Sequence, residues 1–227
     1  MNIAIVEIYP NKKIDFSNAI DAHLRNSIII SKFLKCDLLC TEKDFKNSFN
    51  KKYDILILGY AARYAPFKTI SKLVEKNPNA IKIVLSNEYN IDPLLSSFNN
   101  CILIANFDSI IKTPRIKKQY FLNLNLLFSK KPNEFKEKKY DCIYYGTFRI
   151  NRSEYFKKYL KENIYLSTSP KNFKKFKHIG CTPKLITKLN WQEKKETLNL
   201  FKYQLYIEDE HTHNNFNNLA NRYYEAG

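Results

Sequence analysis

Two α/β domains with mainly parallel sheets, the second short or truncated, are predicted by three observations. Apolar runs of strand length recur along the chain, helical patterns fill the intervals, and the alternation halts at a charged stretch and then restarts. In the first half the strand-like runs are 3–8, 37–40, 53–59, 81–85 and 101–105. Between the first two, Ile20, Leu24 and Ile28 recur at i, i+4 and i+8 and predict one helix over 19–35. A second helix is predicted over 67–77, closed by Pro78. Strands alternating with helices imply right-handed crossovers and a Rossmann-like sheet covered on both faces.

Residues 129–140, Ser-Lys-Lys-Pro-Asn-Glu-Phe-Lys-Glu-Lys-Lys-Tyr, are too charged and too poor in aliphatics for a core, and read as a linker between domains 1–128 and 141–227. Beyond it the pattern predicts strands at 141–145, 164–168, 184–189 and 204–208. Helices are predicted at 153–162, 170–177, 192–202 and 214–226. The final Glu-Ala-Gly places a glycine where a helix cap would lead into a further strand, so this domain reads as short or incomplete.

The 227 residues carry 38 basic and 22 acidic side chains, a formal charge of +16, with 44% hydrophobic content. That composition excludes disorder, collagen and coiled coil. The excess is diffuse, +7 over residues 1–129 and +9 over 130–227, and abundant Lys, Asn and Ile fit an A/T-rich coding bias. A diffuse positive field still attracts polyanions. No apolar run approaches a membrane span, and the first strand begins without a basic leader, so a cytoplasmic location is expected. Five cysteines, mostly in or beside strand-like runs, read as buried reduced thiols, and Cys36 with Cys40 lacks the second ligand pair of a zinc site.

Two segments carry chemistry. Cys142-Ile-Tyr-Tyr-Gly-Thr-Phe-Arg-Ile-Asn-Arg152 is a strand running into Gly146, a short loop and a helix. At the C-terminal edge of a parallel strand, a glycine, a helix N-terminus, Arg149 and Arg152 suit a diphosphate, although neither a Walker motif nor Gly-x-Gly-x-x-Gly is present. A plain strand-to-helix loop with solvated arginines is the alternative. The second segment, Leu205 to Gly227, ends a strand in Glu208-Asp209-Glu210-His211-Thr212-His213 and continues into a helix bearing Arg222, Tyr223 and Glu225. The carboxylates and histidines admit a divalent ion, but a polar loop beside a ligand is the stronger reading.

The pattern Asn-x-x-x-Asn-Arg-x-x-Glu-Ala after an acidic loop resembles the donor-binding region of glycosyltransferases with two Rossmann-like domains, the GT-B type. The Tyr145-Gly146-Thr147-Phe148-Arg149 restart is similar to that family's phosphate loop. Ile5-Val6-Glu7 with Ala22-His23-Leu24-Arg25-Asn26-Ser27 resembles glycosyltransferases of large tailed phages. The resemblance implies a nucleotide-sugar donor bound by Gly146, Thr147, Arg149, Arg152, Arg222 and Glu225, with Glu225 on the ribose hydroxyls. No bound cofactor is implied, and a divalent metal is left open. Two departures stand out: Glu7-Ile8-Tyr9-Pro10 replaces the glycine-rich loop after the first strand, and the chain stops where the family continues.

Transfer to an acceptor hydroxyl needs a base from the first domain, and Glu88, His23 and Glu7 are the candidates. Each also has a structural reading as a surface or helix residue. Arg115, Lys117 and Lys118, interleaved with Tyr120 and Phe121, suit a nucleic-acid backbone, with a solvated face as the alternative. The expected acceptor is a hydroxylated base in phage DNA, in the host cytoplasm. A cell-envelope glycan, or an inert binding module that kept the fold, are the rivals.

Overall fold

The aliphatic runs of the first half form the strands expected of them in a computed structural model that describes residues 1–7, 22–59, 67–86, 98–99, 101–105, 116–122, 137–186 and 197–208. The chain divides into two units, one built mainly from residues 1–127 and the other mainly from 128–227.

In the first unit β1 (Ile3–Val6), β2 (Asp37–Leu39), β3 (Ile55–Leu58), β4 (Ile81–Ser86), β5 (Cys101–Ala105) and β6 (Ile116–Phe121) form a sheet in the order β2-β1-β3-β4-β5-β6. Every pairing is parallel. Ile-Ala-Ile-Val and Ile-Leu-Ile-Leu are apolar at every position because β1 and β3 are central and covered on both faces. Ala4, Val6, Leu56 and Leu58 join one core with Ile70 and Leu73 of α3 (Phe67–Lys76), while Ile5, Ile57 and Leu85 pack on the other face. Asn77 ends α3 by donating to the Leu73 carbonyl and accepting the Tyr53 N–H, which ties the helix end to the entry of β3. Helix α1 (Ala22–Leu34) stops at Lys35, whose φ of 51° is left-handed, and the Cys36 N–H turns back to the Ser31 carbonyl.

Two elements of this unit were not expected. Helix α2 (Glu42–Ser48) is announced only by its capping box, in which Thr41 and Asp44 satisfy each other's backbone N–H groups. Strand β6 was read only as a cluster of cations and aromatics. It is an edge strand whose lysines face solvent, the composition that discourages pairing with other chains.

The second unit contains β7 (Tyr140–Tyr145), α4 (Ser153–Tyr159), β8 (Ile164–Ser167), α5 (Pro170–His178), β9 (Lys184–Ile186) and β10 (Phe201–Gln204). Its sheet is parallel in the order β10-β7-β8-β9. Tyr144, Phe156 and Phe176 are fully buried, and their rings pack edge-on or tilted at 4.9–6.4 Å as the centre of the core. The last strand corrects the sequence reading, which placed it at 204–208. Phe201 begins it, buried and 5.1 Å from the Tyr140 ring, so the helix expected to run to Lys202 ends sooner. The linker is likewise one residue shorter than expected at its end, because Tyr140 already belongs to β7 and pairs with Phe201.

Both sheets change direction once. The strands that follow β1 lie on both sides of it, β2 on one and β3 on the other. The strands that follow β7 do the same, β8 on one side and β10 on the other. Such switch points open a crevice at the C-terminal ends of the strands, where open α/β sheets bind ligands.

Candidate functional site

The switch point of the second sheet is occupied by the loop that leaves β7. Gly146 donates its N–H to the Ser167 carbonyl at the end of β8 (3.1 Å), which holds the loop against the sheet edge. Phe148 turns inward, its ring 5.2 Å from Phe176 and 6.0 Å from Phe156. Thr147 and Arg149, on either side of that anchor, stand exposed. A 3-10 turn, Ile150–Arg152, then leads into α4. The sequence placed a short loop carrying Arg149 and Arg152 after this strand, and residues 146–149 lie in a loop there.

Arg152 differs from that reading. It is buried, and its guanidinium donates to Glu208 Oε1 at 2.6 Å and to the Ile207 carbonyl at 3.3 Å. Glu208 Oε2 accepts the Tyr206 hydroxyl at 2.8 Å. The pair clamps the β7 loop to the segment that follows β10, across the switch point. Its positive charge is matched at close range, so Arg149 and not Arg152 presents the loop's exposed cation. Glu208, considered for a metal with 209–213, has both carboxylate oxygens in this network. Residues 209–213 lie outside the described residues, and among the described residues no group of three or more His, Cys, Asp or Glu side chains is arranged to hold a metal ion.

The neighbouring strand end adds groups that sequence reading did not select. Thr168 follows β8, is buried, and its hydroxyl has no hydrogen-bond partner among the described residues. Ser169 caps α5 by accepting the Asn172 N–H, and Pro170 occupies the first turn. The Ser-Pro step after an apolar run was the available signal, because both residues favour helix starts. The Gly146 loop, the Thr168 hydroxyl and the α5 N-terminus therefore emerge from one edge of one sheet.

The switch point of the first sheet has the opposite chemistry. Glu7 follows β1, is 1% exposed, and accepts the Ser27 hydroxyl at 2.6 Å. Its backbone N–H continues the ladder to the Leu39 carbonyl. The carboxylate lies over Gly59 at the end of β3, in the space that a Cβ at position 59 would take. Helix α1 carries Arg25, Asn26, Ser27 and Ser31, all buried, of which Ser27 reaches Glu7. Glu7 is thus enclosed between Ser27 and Gly59. Cys40, close by, has its thiol pushed up to about 12 by burial, with the Asp44 and Glu7 carboxylates adding to it. The other four thiols are also raised by burial, and none of the five cysteines is in a disulfide.

His23 is the second residue of α1. Lys117 and Lys118 are exposed on β6. Glu88, Arg115, Arg222 and Glu225 lie outside the described residues.

No protein-family model matches the sequence, and no curated protein matches it. Solved structures do match over the whole chain. The β-glucosyltransferase of phage T4 in complex with its UDP-glucose substrate has a TM-score of 0.67 at 16% identity, with 100% of this chain and 77% of that chain covered. The same enzyme with UDP and Mn2+ gives 0.63 at 15%, covering 100% and 78%. The structure described as the DNA modifying enzyme β-glucosyltransferase, with and without uridine diphosphoglucose, gives 0.65 at 16%, covering 100% and 76%. The chain therefore has the two-Rossmann-domain fold of these glucosyltransferases.

Proposed function

We propose that this chain is a nucleotide-sugar-dependent hexosyltransferase that modifies a hydroxylated base in phage DNA. The observation that carries the reading is the loop from Gly146 to Arg149. It is anchored by Phe148, it presents one exposed arginine at the switch point, and it belongs to a fold shared along its full length with T4 β-glucosyltransferase.

The donor's diphosphate lies against the Gly146–Thr147 backbone and the Arg149 guanidinium, where fixed donors and a cation stabilise the charge that develops as it leaves. The Arg152–Glu208 clamp holds the loop in place, so the cation does not have to reorganise during the reaction. Thr168 offers a hydroxyl at the same edge, and as the family resemblance implies Glu225 holds the donor ribose hydroxyls and Arg222 contacts the donor. The acceptor hydroxyl attacks the anomeric carbon, its O–C bond forms as the bond from that carbon to the phosphate oxygen breaks, and the nucleoside diphosphate departs. The acceptor proton passes to a carboxylate acting as base. Glu88 is the stronger candidate, since it follows β4 by two residues and Glu7 is enclosed over Gly59. A divalent ion is left open and no step is assigned to one; among the described residues both oxygens of Glu208 already accept hydrogen bonds.

The test is incubation with a panel of nucleotide sugars and duplex DNA, with or without 5-hydroxymethylated pyrimidines, followed by nucleoside mass spectrometry. A hexosylated nucleoside from hydroxylated DNA alone supports the reading. Transfer to envelope glycans instead, or binding of nucleotide without transfer to any acceptor, overturns it.

A further inference from the structure

The first sheet is covered unevenly on its two faces. The strand order steps outward in one direction from β3 to β6, and right-handed crossovers in one direction share one face. Helix α3 takes the face of Val84 and Leu103, and Phe98, just before β5, joins the same core. On the opposite face α1 is the helix found among the described residues, and its Ile30 packs with Ile5, Ile57 and Leu85.

Strands β4, β5 and β6 continue that opposite face away from α1. The register places Ile83, Ile102 and Lys118 in one row across it and Leu85, Ile104 and Tyr120 in the next, with Ile81 two residues before Ile83. Lys82 belongs to the other face. β5 reads Cys-Ile-Leu-Ile-Ala, apolar at every position like a strand covered on both sides, yet Cys101, Leu103 and Ala105 are buried while Ile102 and Ile104 are half-buried. Cover thins toward the edge: Leu85 is 8% exposed, Ile81 49% and Tyr120 50%. A groove of about 390 Å³ opens here, with Ile81, Ile102, Lys118 and Tyr120 in its lining. Lys117, the extra residue of a bulge between β5 and β6, also lines it, and none of the described lining residues is acidic.

We propose that this face docks an amphipathic α-helix of a partner protein, its apolar stripe on Ile81, Ile102 and Tyr120 and its acidic residues along the Lys117–Lys118 side. From β4 to β6 is two inter-strand spacings, about 10 Å at ~4.8 Å each, the width of one helix with its side chains. Helix α1 already covers the neighbouring part of the same face in this way. The isoleucines select a helix over a bare polyanion, because a phosphate backbone or a polyglutamate chain would leave Ile81 and Ile102 uncovered. The two lysines select an acidic helix over a basic one. A second copy of this chain is a poor occupant, since it brings a charge of +16 and the same two lysines.

The experiment titrates the whole chain into a fluorescent peptide of about 18 residues, with leucines recurring at i, i+3, i+4 and i+7 and glutamates on the other face, and reads anisotropy. Binding should saturate. Ile81→Ser with Tyr120→Ser should weaken it roughly 10- to 100-fold through two lost apolar anchors. Both positions are half exposed, so the unfolding midpoint should stay close to that of the wild type. K117Q/K118Q should weaken binding about 3- to 10-fold. K43Q/K46Q removes the same charge from the exposed face of α2 and should leave the affinity within twofold. No saturable binding, equal affinity for a scrambled peptide of the same composition, or equal losses from the two lysine pairs overturns the proposal. Displacement of the peptide by polyglutamate or by a 20-base-pair duplex at equal concentration also overturns it, in favour of a general anion surface. Hexose transfer plays no part in the readout, so this test and that of the transferase reading fail separately.

Discussion

The two switch points have the same topology and opposite chemistry. At the first, a carboxylate is folded inward over a glycine and held by a serine, beside buried polar residues of α1. At the second, the ion pair is the buried part and the loop's remaining arginine faces outward. Parallel sheets supply a crevice wherever the strand order reverses, and the side chains on the two loops decide what it can bind. A buried Arg152–Glu208 pair adds little net stability over apolar packing. It ties the β7 loop to the segment after β10, and for the proposed donor site that would hold the backbone beside Arg149 in place.

The largest expected effect tests whether the second crevice depends on its clamp. Glu208→Gln leaves the Arg152 guanidinium buried without its counter-charge, at a cost of about 3 kcal/mol or more. Urea unfolding should show it, and Glu208→Gln with Arg152→Met should recover much of the loss. An unchanged midpoint for the single variant would mean the clamp is open in solution. Gly59→Ala comes next, at about 1–3 kcal/mol, because the new methyl displaces the Glu7 carboxylate. Pairing it with Glu7→Ala should relieve the strain, and strictly additive losses would show that the two residues do not meet. The smallest effect belongs to Asp37, at the opposite edge of that sheet. The Lys51 ammonium, hydrogen-bonded at 2.7 Å, holds the Asp37 carboxyl below its usual range, with help from the Tyr53 hydroxyl. A depressed folded value contributes stability above the ordinary carboxylate range that is lost as pH falls through it. Lys51→Met should flatten the acid limb of the stability profile slightly, and an unaltered limb would show the exposed pair to be inert.

What the sequence revealed follows from what each residue does locally. Strands such as Ile-Leu-Ile-Leu were legible because burial on both faces demands unbroken aliphatics. The loop at Gly146 was legible because a strand, a glycine and arginines occur in succession. Strand β6 was not, because an edge strand in water keeps Lys117 and Lys118 and loses the apolar signature. The boundary of β10 was misplaced because the apolar run Leu205-Tyr206-Ile207 reads as a strand, whereas pairing with β7 begins at Phe201, whose ring lies against Tyr140. Arg152 illustrates the general difficulty. Its partner is 56 residues away, so nothing near it in sequence separates an arginine that binds phosphate from one that binds Glu208.

The comparison is tested most directly by calorimetric binding of UDP and of uridine to the wild type and to Arg149→Ala. Loss of one charge-assisted contact with the diphosphate should weaken UDP binding about 10- to 100-fold and leave uridine binding within twofold. Equal affinity of both proteins for UDP would contradict the assignment of the Gly146–Arg149 loop to the donor phosphates, and with it the proposed role of the second switch point.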